Sequence, residues 1–407
     1  MSVSMTTVGA VLQDIVSGKS TQTMERRAQE GELGILKVSA VTWGEFRPHE
    51  NKAMPLDYNP GACPRPMDGD ILISRANTRE LVGAPVMVRG DHPNLLLSDK
   101  LLKLIPNKAL VDSRYLVRAL RAPAASAHFF KCAGGSSGSM TNITQGDIRS
   151  APIPLPPLPE QRCIAAILDQ AETLRTQRRA ALAQLDSLTQ SLFLDMFGDP
   201  VTNPAKWTAC TLGEVAKQKP NNGIFRKNPE YVQSGDDGLP VVWLDELFKG
   251  DTIDTQYSRR VVPTEKEVEN YGLKTGDLLF CRSSLKLDGI AFNNVYVGPD
   301  NKALFECHLI RISPNTEKAS PVFMNHQLRL PHMRAMIKTR AKTSTMTTID
   351  QQGLCAVSVI VPPLPLQQTF ATRVQAIEAL KTQHRAALAA QDALFASLQQ
   401  RAFAGTL

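Results

Sequence analysis

Hydrophobic residues fall at three- and four-residue steps through two long stretches of the chain. The first stripe is Ile164, Ile167/Leu168, Ala171, Leu174, Ala181, Leu185, Leu188 and Leu192. The second is Phe370, Val374, Ile377, Leu380, Ala387/Leu388, Leu394 and Leu398. This spacing predicts two long helices, each with one apolar face suited to a heptad seam. Both open on prolines, Pro156-Pro157-Leu158-Pro159 and Pro362-Pro363-Leu364-Pro365. Pro159 and Pro365 suit a first helical position, where a missing N–H is harmless. Gly198 and Pro200 are stop signals for the first helix. At 1.5 Å per residue, about 38 residues would reach roughly 55–60 Å, more than a domain core needs.

The rest of the chain reads as short strands, turns and a few helices, and it reads so twice. The proline clusters lie 206 residues apart. At the same offset Gln177-Arg178-Arg179-Ala180-Ala181-Leu182 is answered by Gln383-His384-Arg385-Ala386-Ala387-Leu388. Val8–Val16 is echoed by Leu212–Ala216, and the strand Ile35–Ser39 by Pro240–Leu244. Gly69-Asp70-Ile71-Leu72-Ile73-Ser74-Arg75 matches Gly276-Asp277-Leu278-Leu279-Phe280-Cys281-Arg282. Here Gly-Asp makes a turn, the apolar run a buried strand, and the arginine marks where the strand leaves the core. Leu102–Pro106 and Ile310–Pro314 form a further pair of strands.

Small polar residues follow each arginine. They are Ala76-Asn77-Thr78-Arg79 in one half and Ser283-Ser284-Leu285-Lys286 in the other. Later each half reaches a second polar loop, around Ser136 and Ser137 in one and Lys342, Thr343 and Ser344 in the other. One reading is a turn and strand whose arginine bonds a nearby carboxylate. The other is a pair of loops offering Arg, Asn, Ser and Lys to phosphates and base edges, for which the planar guanidinium is well suited. The candidate contact residues are Arg75, Asn77, Arg79, Ser136, Ser137, Arg282, Ser283, Ser284, Lys286, Lys342, Thr343 and Ser344.

Charge sharpens this picture. The chain of 407 residues carries a formal charge of +7. Arg114, Arg118, Arg121 and Lys131 form one basic run, and Arg329, Arg334, Lys338, Arg340 and Lys342 another, with no acidic residue inside either. Two such runs at matching places favour phosphate contact over solvated helix faces. Seven scattered cysteines without a C-x-x-C pair argue against a disulfide framework and a Cys-based zinc site. No signal peptide or spanning helix is recognisable, so a cytoplasmic location is expected. Asn228-Pro229-Glu230-Tyr231 only superficially resembles an adenine-methyltransferase motif, since Glu230 stands where a second proline is needed. The Gly134–Ser139 stretch lacks the lysine of a P-loop. No catalytic or metal-ligating set is expected.

Two helices with matching seams most simply pack on each other, antiparallel. The expected fold is α+β: two mixed α/β domains, residues 1–152 and 199–358, joined by helical segments 153–198 and 359–407. The result is a pseudo-two-fold repeat with a period of about 206 and a coiled-coil spacer. The seam is expected to use Ile164, Leu168, Leu174, Leu185, Leu188, Leu192, Val374, Ile377, Leu380, Leu388, Leu394 and Leu398. Such a molecule suits the reading of two DNA half-sites at a set spacing. A coiled-coil protein adaptor and a self-contained DNA-modifying enzyme are the alternatives.

The proline-to-helix junctions ending Glu160-Gln161 and Leu366-Gln367-Gln368, the Gly-Asp strands, Met140-Thr141-Asn142-Ile143, Phe197-Gly198-Asp199 and Arg401-Ala402-Phe403 together resemble specificity subunits of type I restriction-modification enzymes. The resemblance runs essentially end to end. It implies two target-recognition domains reading a bipartite site in double-stranded DNA, and a spacer that docks two methyltransferase subunits. It places S-adenosylmethionine on those partners, and ATP and magnesium on a motor-nuclease subunit, leaving this chain without cofactor. Leu366 departs from Glu160, and Thr348 from Asn142, which puts the detailed turns of the second half in question.

Overall fold

The computed structural model describes residues 4–137, 140–227, 230–231, 238–250, 252–253, 255–256, 258–343 and 346–407, and of residues 135–137 and 343 the backbone alone. The chain divides into two units, Met1–Arg178 with Ala387–Leu407, and Arg179–Ala386. Each unit holds one globular region and half of each long helix.

The first unit is built on a four-stranded antiparallel sheet in the order Leu12–Ser17, Leu101–Pro106, Ile71–Ser74, Pro85–Met87. The second repeats it with Asn221–Asn222, Leu309–Ile312, Leu278–Cys281 and Asn293–Val295. The Gly-Asp strand is central in both, and all four residues of each copy are buried. Burial on both faces is what a continuous apolar run requires. A smaller mixed sheet lies beside each: Asn51–Ala53, Gly34–Leu36 and Leu95–Leu96 in one unit, Arg260–Val261, Leu239–Val242 and Leu304–Phe305 in the other. The proline strands Pro152–Pro154 and Ser358–Ile360 pair with Met5–Thr7 and Ala209–Thr211.

The Gly-Asp turns form as their composition predicts. Gly69 and Gly276 have φ of +81° and +92°, a region that disfavours a Cβ. Asp70 and Asp277 each accept a hydrogen bond from the backbone N–H three residues earlier, both at 2.8 Å. Asp70 also pairs with Lys103 at 2.6 Å, and Asp277 lies 3.8 Å from Arg311. Burial pushes the Asp277 carboxyl above its ordinary range, against the opposing pull of Ser313, the Lys274 N–H and Arg311.

The long helices span Leu158–Phe197 and Leu364–Ala404, each about 60 Å at 1.5 Å per residue. At Gly198 the chain turns with φ +75°, and its N–H closes on the Leu194 carbonyl at 2.9 Å. Gln161 and Gln367 seat the helices. Gln161 accepts from Asp112 N at 2.9 Å and donates to the Leu110 and Pro156 carbonyls at 3.1 and 2.8 Å. Gln367 accepts from Ser320 N at 2.9 Å and donates to the Lys318 and Pro362 carbonyls at 3.2 and 2.7 Å. The two amides are 1% and 0% exposed, whereas the differing neighbours Glu160 and Leu366 face solvent. The departure at Leu366 therefore leaves the junction intact.

Within each unit the helix halves pair antiparallel. In the first, Ile164 and Leu168 share a core with Ala402, while Arg175 reaches Asp392 at 2.6 Å. In the second, Phe197 packs against Phe370 at 5.7 Å and Lys381 reaches Asp186 at 2.9 Å. The expected seam needs correction. Ile164, Leu168, Val374 and Ile377 are buried, and Leu185, Leu192, Leu388 and Leu398 are partly so. Leu174, Leu188, Leu380 and Leu394 are instead 46%, 48%, 46% and 55% exposed. Arg175, Thr189 and Phe193 on the first helix, and Lys381 and Phe395 on the second, take inward positions. Among the described residues no helix is long and apolar enough to cross a membrane.

Candidate nucleic-acid interface

In each unit the backbone of the strand-end arginine joins the two polar segments. Arg75 N donates to the Lys100 carbonyl at 2.9 Å, and the Arg75 carbonyl accepts from Ile143 N at 2.9 Å. Arg282 N donates to the His308 carbonyl at 2.8 Å, and its carbonyl accepts from Ile349 N at 2.9 Å. The chain after each arginine then enters a small three-stranded antiparallel sheet. In the first unit Asn77 pairs with Thr141 and Ala76 with Asn142, while Gly134–Ser137 completes the sheet. In the second Ser283 pairs with Thr348 and Ser284 with Thr347, with Lys342–Thr343 alongside. Segments more than sixty residues apart thus become one surface in both units.

The candidate side chains differ in what they can offer. Arg75 is half-buried and Arg282 exposed, and neither guanidinium is joined to a carboxylate among the described contacts. Arg282 donates to the Cys307 carbonyl at 3.4 Å. Arg79 lies 4.5 Å over the Phe130 ring and donates to the Phe130 carbonyl at 3.3 Å. Asn77 Nδ2 donates to Thr42 Oγ1 at 3.0 Å, and its Oδ1 accepts from Thr78 N at 2.9 Å. Ser284 and Lys286 form one tight turn in which Ser284 Oγ donates to the Lys286 carbonyl at 2.7 Å. Lys342 is exposed, 3.6 Å from Asp350. Ser283 is only 7% exposed and sits where the first unit has buried Ala76, so it is withdrawn from the surface. The side chains of Ser136, Ser137 and Thr343, and the whole of Ser344 and Asn228-Pro229, lie outside the described residues.

Four cations of the basic runs, Arg118, Arg121, Arg334 and Lys338, play another part than the one expected. Arg118 pairs with Asp169 at 2.9 Å on the first long helix. Arg121 donates to the Pro85 and Gly44 carbonyls at 2.8 and 2.5 Å, and burial pulls its pKa down to about 10. Arg334, 8% exposed, donates to the Asp288 and Ile290 carbonyls, and Lys338 pairs with Asp288. These cations hold helices and loops in place because long basic stems can bury apolar atoms while satisfying carbonyls. Sequence spacing carries no signal that separates this use from phosphate binding.

Among the described residues, one group brings potential metal ligands together. Glu306, Cys307 and His308 have their ligand atoms within 4.8 Å of one another. His308 Nδ1 and Glu306 Oε2 already share a hydrogen bond at 2.7 Å.

Each of the two α+β units thus carries a small loop-built sheet, and both long helices contribute to each unit. Residues 63–184 match the family model described as the type I restriction modification DNA specificity domain. The chain is 28% identical over 197 residues to the EcoEI specificity subunit of Escherichia coli, covering 48% of this chain and 33% of the relative. It is 24% identical over 333 residues to the putative MjaX specificity subunit of Methanocaldococcus jannaschii, covering 77% and 72%. The S subunit of a type I restriction-modification system from M. genitalium has the same fold, with a TM-score of 0.60 over 98% of this chain and 96% of that one, at 14% identity. The chain is thus similar to type I restriction-modification specificity subunits, with the family model itself matching residues 63–184. The match to the EcoEI subunit spans only about a third of that relative's length.

Proposed function

We propose that this chain is the non-catalytic, sequence-reading subunit of a type I restriction-modification complex. Each unit reads one half of a split site in double-stranded DNA, and the long helices set the unspecified gap. The observation that carries this reading is the repeated small sheet, in which the arginine-led segment and the later polar loop are hydrogen-bonded into one surface in both units. A protein adaptor would not need the same polar, arginine-edged surface twice.

Adenine methylation, S-adenosylmethionine, ATP and magnesium belong in this reading to partner subunits, and the complex acts in the cytoplasm. The exposed leucines of the helices support docking of two methyltransferase subunits. Leu174 and Leu380 are 206 residues apart, as are Leu188 and Leu394, so the uncovered positions recur in both helices. Exposed apolar side chains that recur in this way are usual at subunit interfaces.

Single-molecule methylation sequencing of the source strain, with and without this gene, tests the proposal. Loss of one split motif, methylated on adenine in both strands, is the expected result. An unchanged methylation pattern would refute it.

A further inference from the structure

Among the described residues of the first unit, two aromatic side chains are exposed, Trp43 at 58% and Phe130 at 46%. Both border the Ala76–Arg79 segment. Phe130 does so through its stack with Arg79. Trp43 does so through the preceding residue, since Thr42 Oγ1 accepts from Asn77 Nδ2.

Trp43 stands on a fixed mount. Thr42 Oγ1 also donates to the Val38 carbonyl at 2.9 Å, which ties it back across the short helix Ser39–Thr42. On the other side Gly44, at φ +82°, offers its carbonyl to half-buried Arg121. A large apolar ring held out to water by hydrogen bonds on both flanks gains nothing from folding alone. A single exposed ring would need no explanation. Two exposed rings tied to the segment that forms the candidate surface, one directly and one through its neighbour Thr42, are a different matter.

We propose that Trp43 is a nucleobase contact of the first unit, and that Asn77 is its positioning residue. This inference rests on the DNA-reading function proposed above. Both ends of the Asn77 amide are bound within the protein, to Thr42 Oγ1 and Thr78 N. A bidentate reading of adenine would need that same donor and acceptor. The indole offers what the amide does not, a broad apolar face for a thymine methyl or a base plane. On the same segment as Asn77, the Arg79 guanidinium lies over the Phe130 ring and donates to the Phe130 carbonyl, so its fork is held before DNA arrives.

The test is the methylated motif in strains carrying Trp43→Ala, Trp43→Phe or Asn77→Ala in place of the natural gene, with melting temperatures of the purified chains. Trp43→Ala is expected to relax one base-pair position in one half-site, by on the order of 5- to 150-fold, the range of a good base contact. The other half-site stays unchanged. Asn77→Ala should relax that same position, and Trp43→Phe should largely retain it. Two intact half-sites with Trp43→Ala would overturn the contact, as would loss of both halves with a lowered melting temperature. Relaxation at a different position with Asn77→Ala would overturn the positioning role. Failure of the underlying function would look different, because the natural strain itself would then show no split motif dependent on this gene.

Discussion

Replacing Gln367 by alanine removes a side chain that is 0% exposed and makes three hydrogen bonds to backbone. The Ser320 N–H loses its acceptor, and an orphaned buried donor costs about 1–3 kcal/mol. The Lys318 and Pro362 carbonyls lose a donor each but keep a second lone pair, so their share is smaller. The vacated volume adds about 1–2 kcal/mol if the helix does not settle. A total near 3–4 kcal/mol follows, and for a unit of about two hundred residues this is a fall of roughly 6–16 °C in melting temperature. Trp207 and Trp243 lie in the second unit and Trp43 in the first, so emission can be assigned to the unit that melts. Gln367→Ala should lower the transition seen by Trp207 and Trp243, and Gln161→Ala that seen by Trp43. Gln367→Met keeps the volume and removes only the bonds, so it should recover the cavity share alone. A loss below about 1 kcal/mol for the alanine variant, or a methionine variant as stable as the natural chain, would refute the reasoning.

Further outcomes follow from the same geometry. Lys381, with a side chain 3% exposed between Asp186 and Glu378, should cost about 1–3 kcal/mol when changed to methionine, and Glu378→Gln in that background should recover part of it, as read by urea denaturation. Thr144 holds the Asp147 carboxyl below its ordinary 3.8 through side-chain and backbone hydrogen bonds. The advantage of the natural chain over Asp147→Ala should therefore be full above about pH 4 and vanish as pH falls through the lowered value; a difference that grows in acid would contradict the cap. Leu174→Ser and Leu380→Ser should weaken capture of methyltransferase subunits without lowering the melting temperature, and unaltered capture would sink the docking face. Arg75→Ala and Arg282→Ala should each relax one half-site only, by about 1–3 kcal/mol per base contact, checked by motif sequencing.

The repeated Gly-Asp strands were legible because a turn glycine, its capping aspartate and a buried apolar run are local features. The joining of Asn77 to Thr141 and of Ser284 to Thr347 was not legible, although the segments themselves matched between halves, since strand pairing across sixty residues leaves no local mark. Gln161 and Gln367 belong to the proline-to-helix motif, yet nothing in a glutamine's neighbours says that its amide will be buried against three backbone groups. The basic runs misled because charge is visible in a sequence and burial is not. Arg121 and Arg334 look like phosphate contacts until the carbonyls they serve are in view. Trp43 is hidden in the sequence for a related reason. An isolated tryptophan after a short apolar run reads as core, and only its 58% exposure shows otherwise.

The helix seam shows most clearly why pattern alone fell short. A heptad reading assigns Leu174, Ala181 and Leu188 to one stripe because leucine is apolar and the steps are seven. The inward positions instead follow residues 164, 175 and 197 on the first helix, and 370, 381, 392 and 403 on the second, separated by eleven residues or by twice eleven. Eleven residues in three turns is about 3.67 per turn, close to an undistorted helix and unlike the 3.5 of a left-handed coiled coil. Polar residues occupy the middle of this series. Glu172, Arg175 and Asp392 form one ion cluster within the first unit, and Glu378, Lys381 and Asp186 form its equivalent within the second. Every member has its counterpart 206 residues away. Buried or half-buried ion pairs add little net stability, but a slip of one turn would leave each charge without its partner. We therefore assign the two clusters to register rather than strength. If the helices set the gap between half-sites, their alignment has to be fixed to within one turn, and a purely leucine seam would hold it less tightly than these charges do. The leucines that the register excludes from the seam remain on the outside, where a partner can cover them.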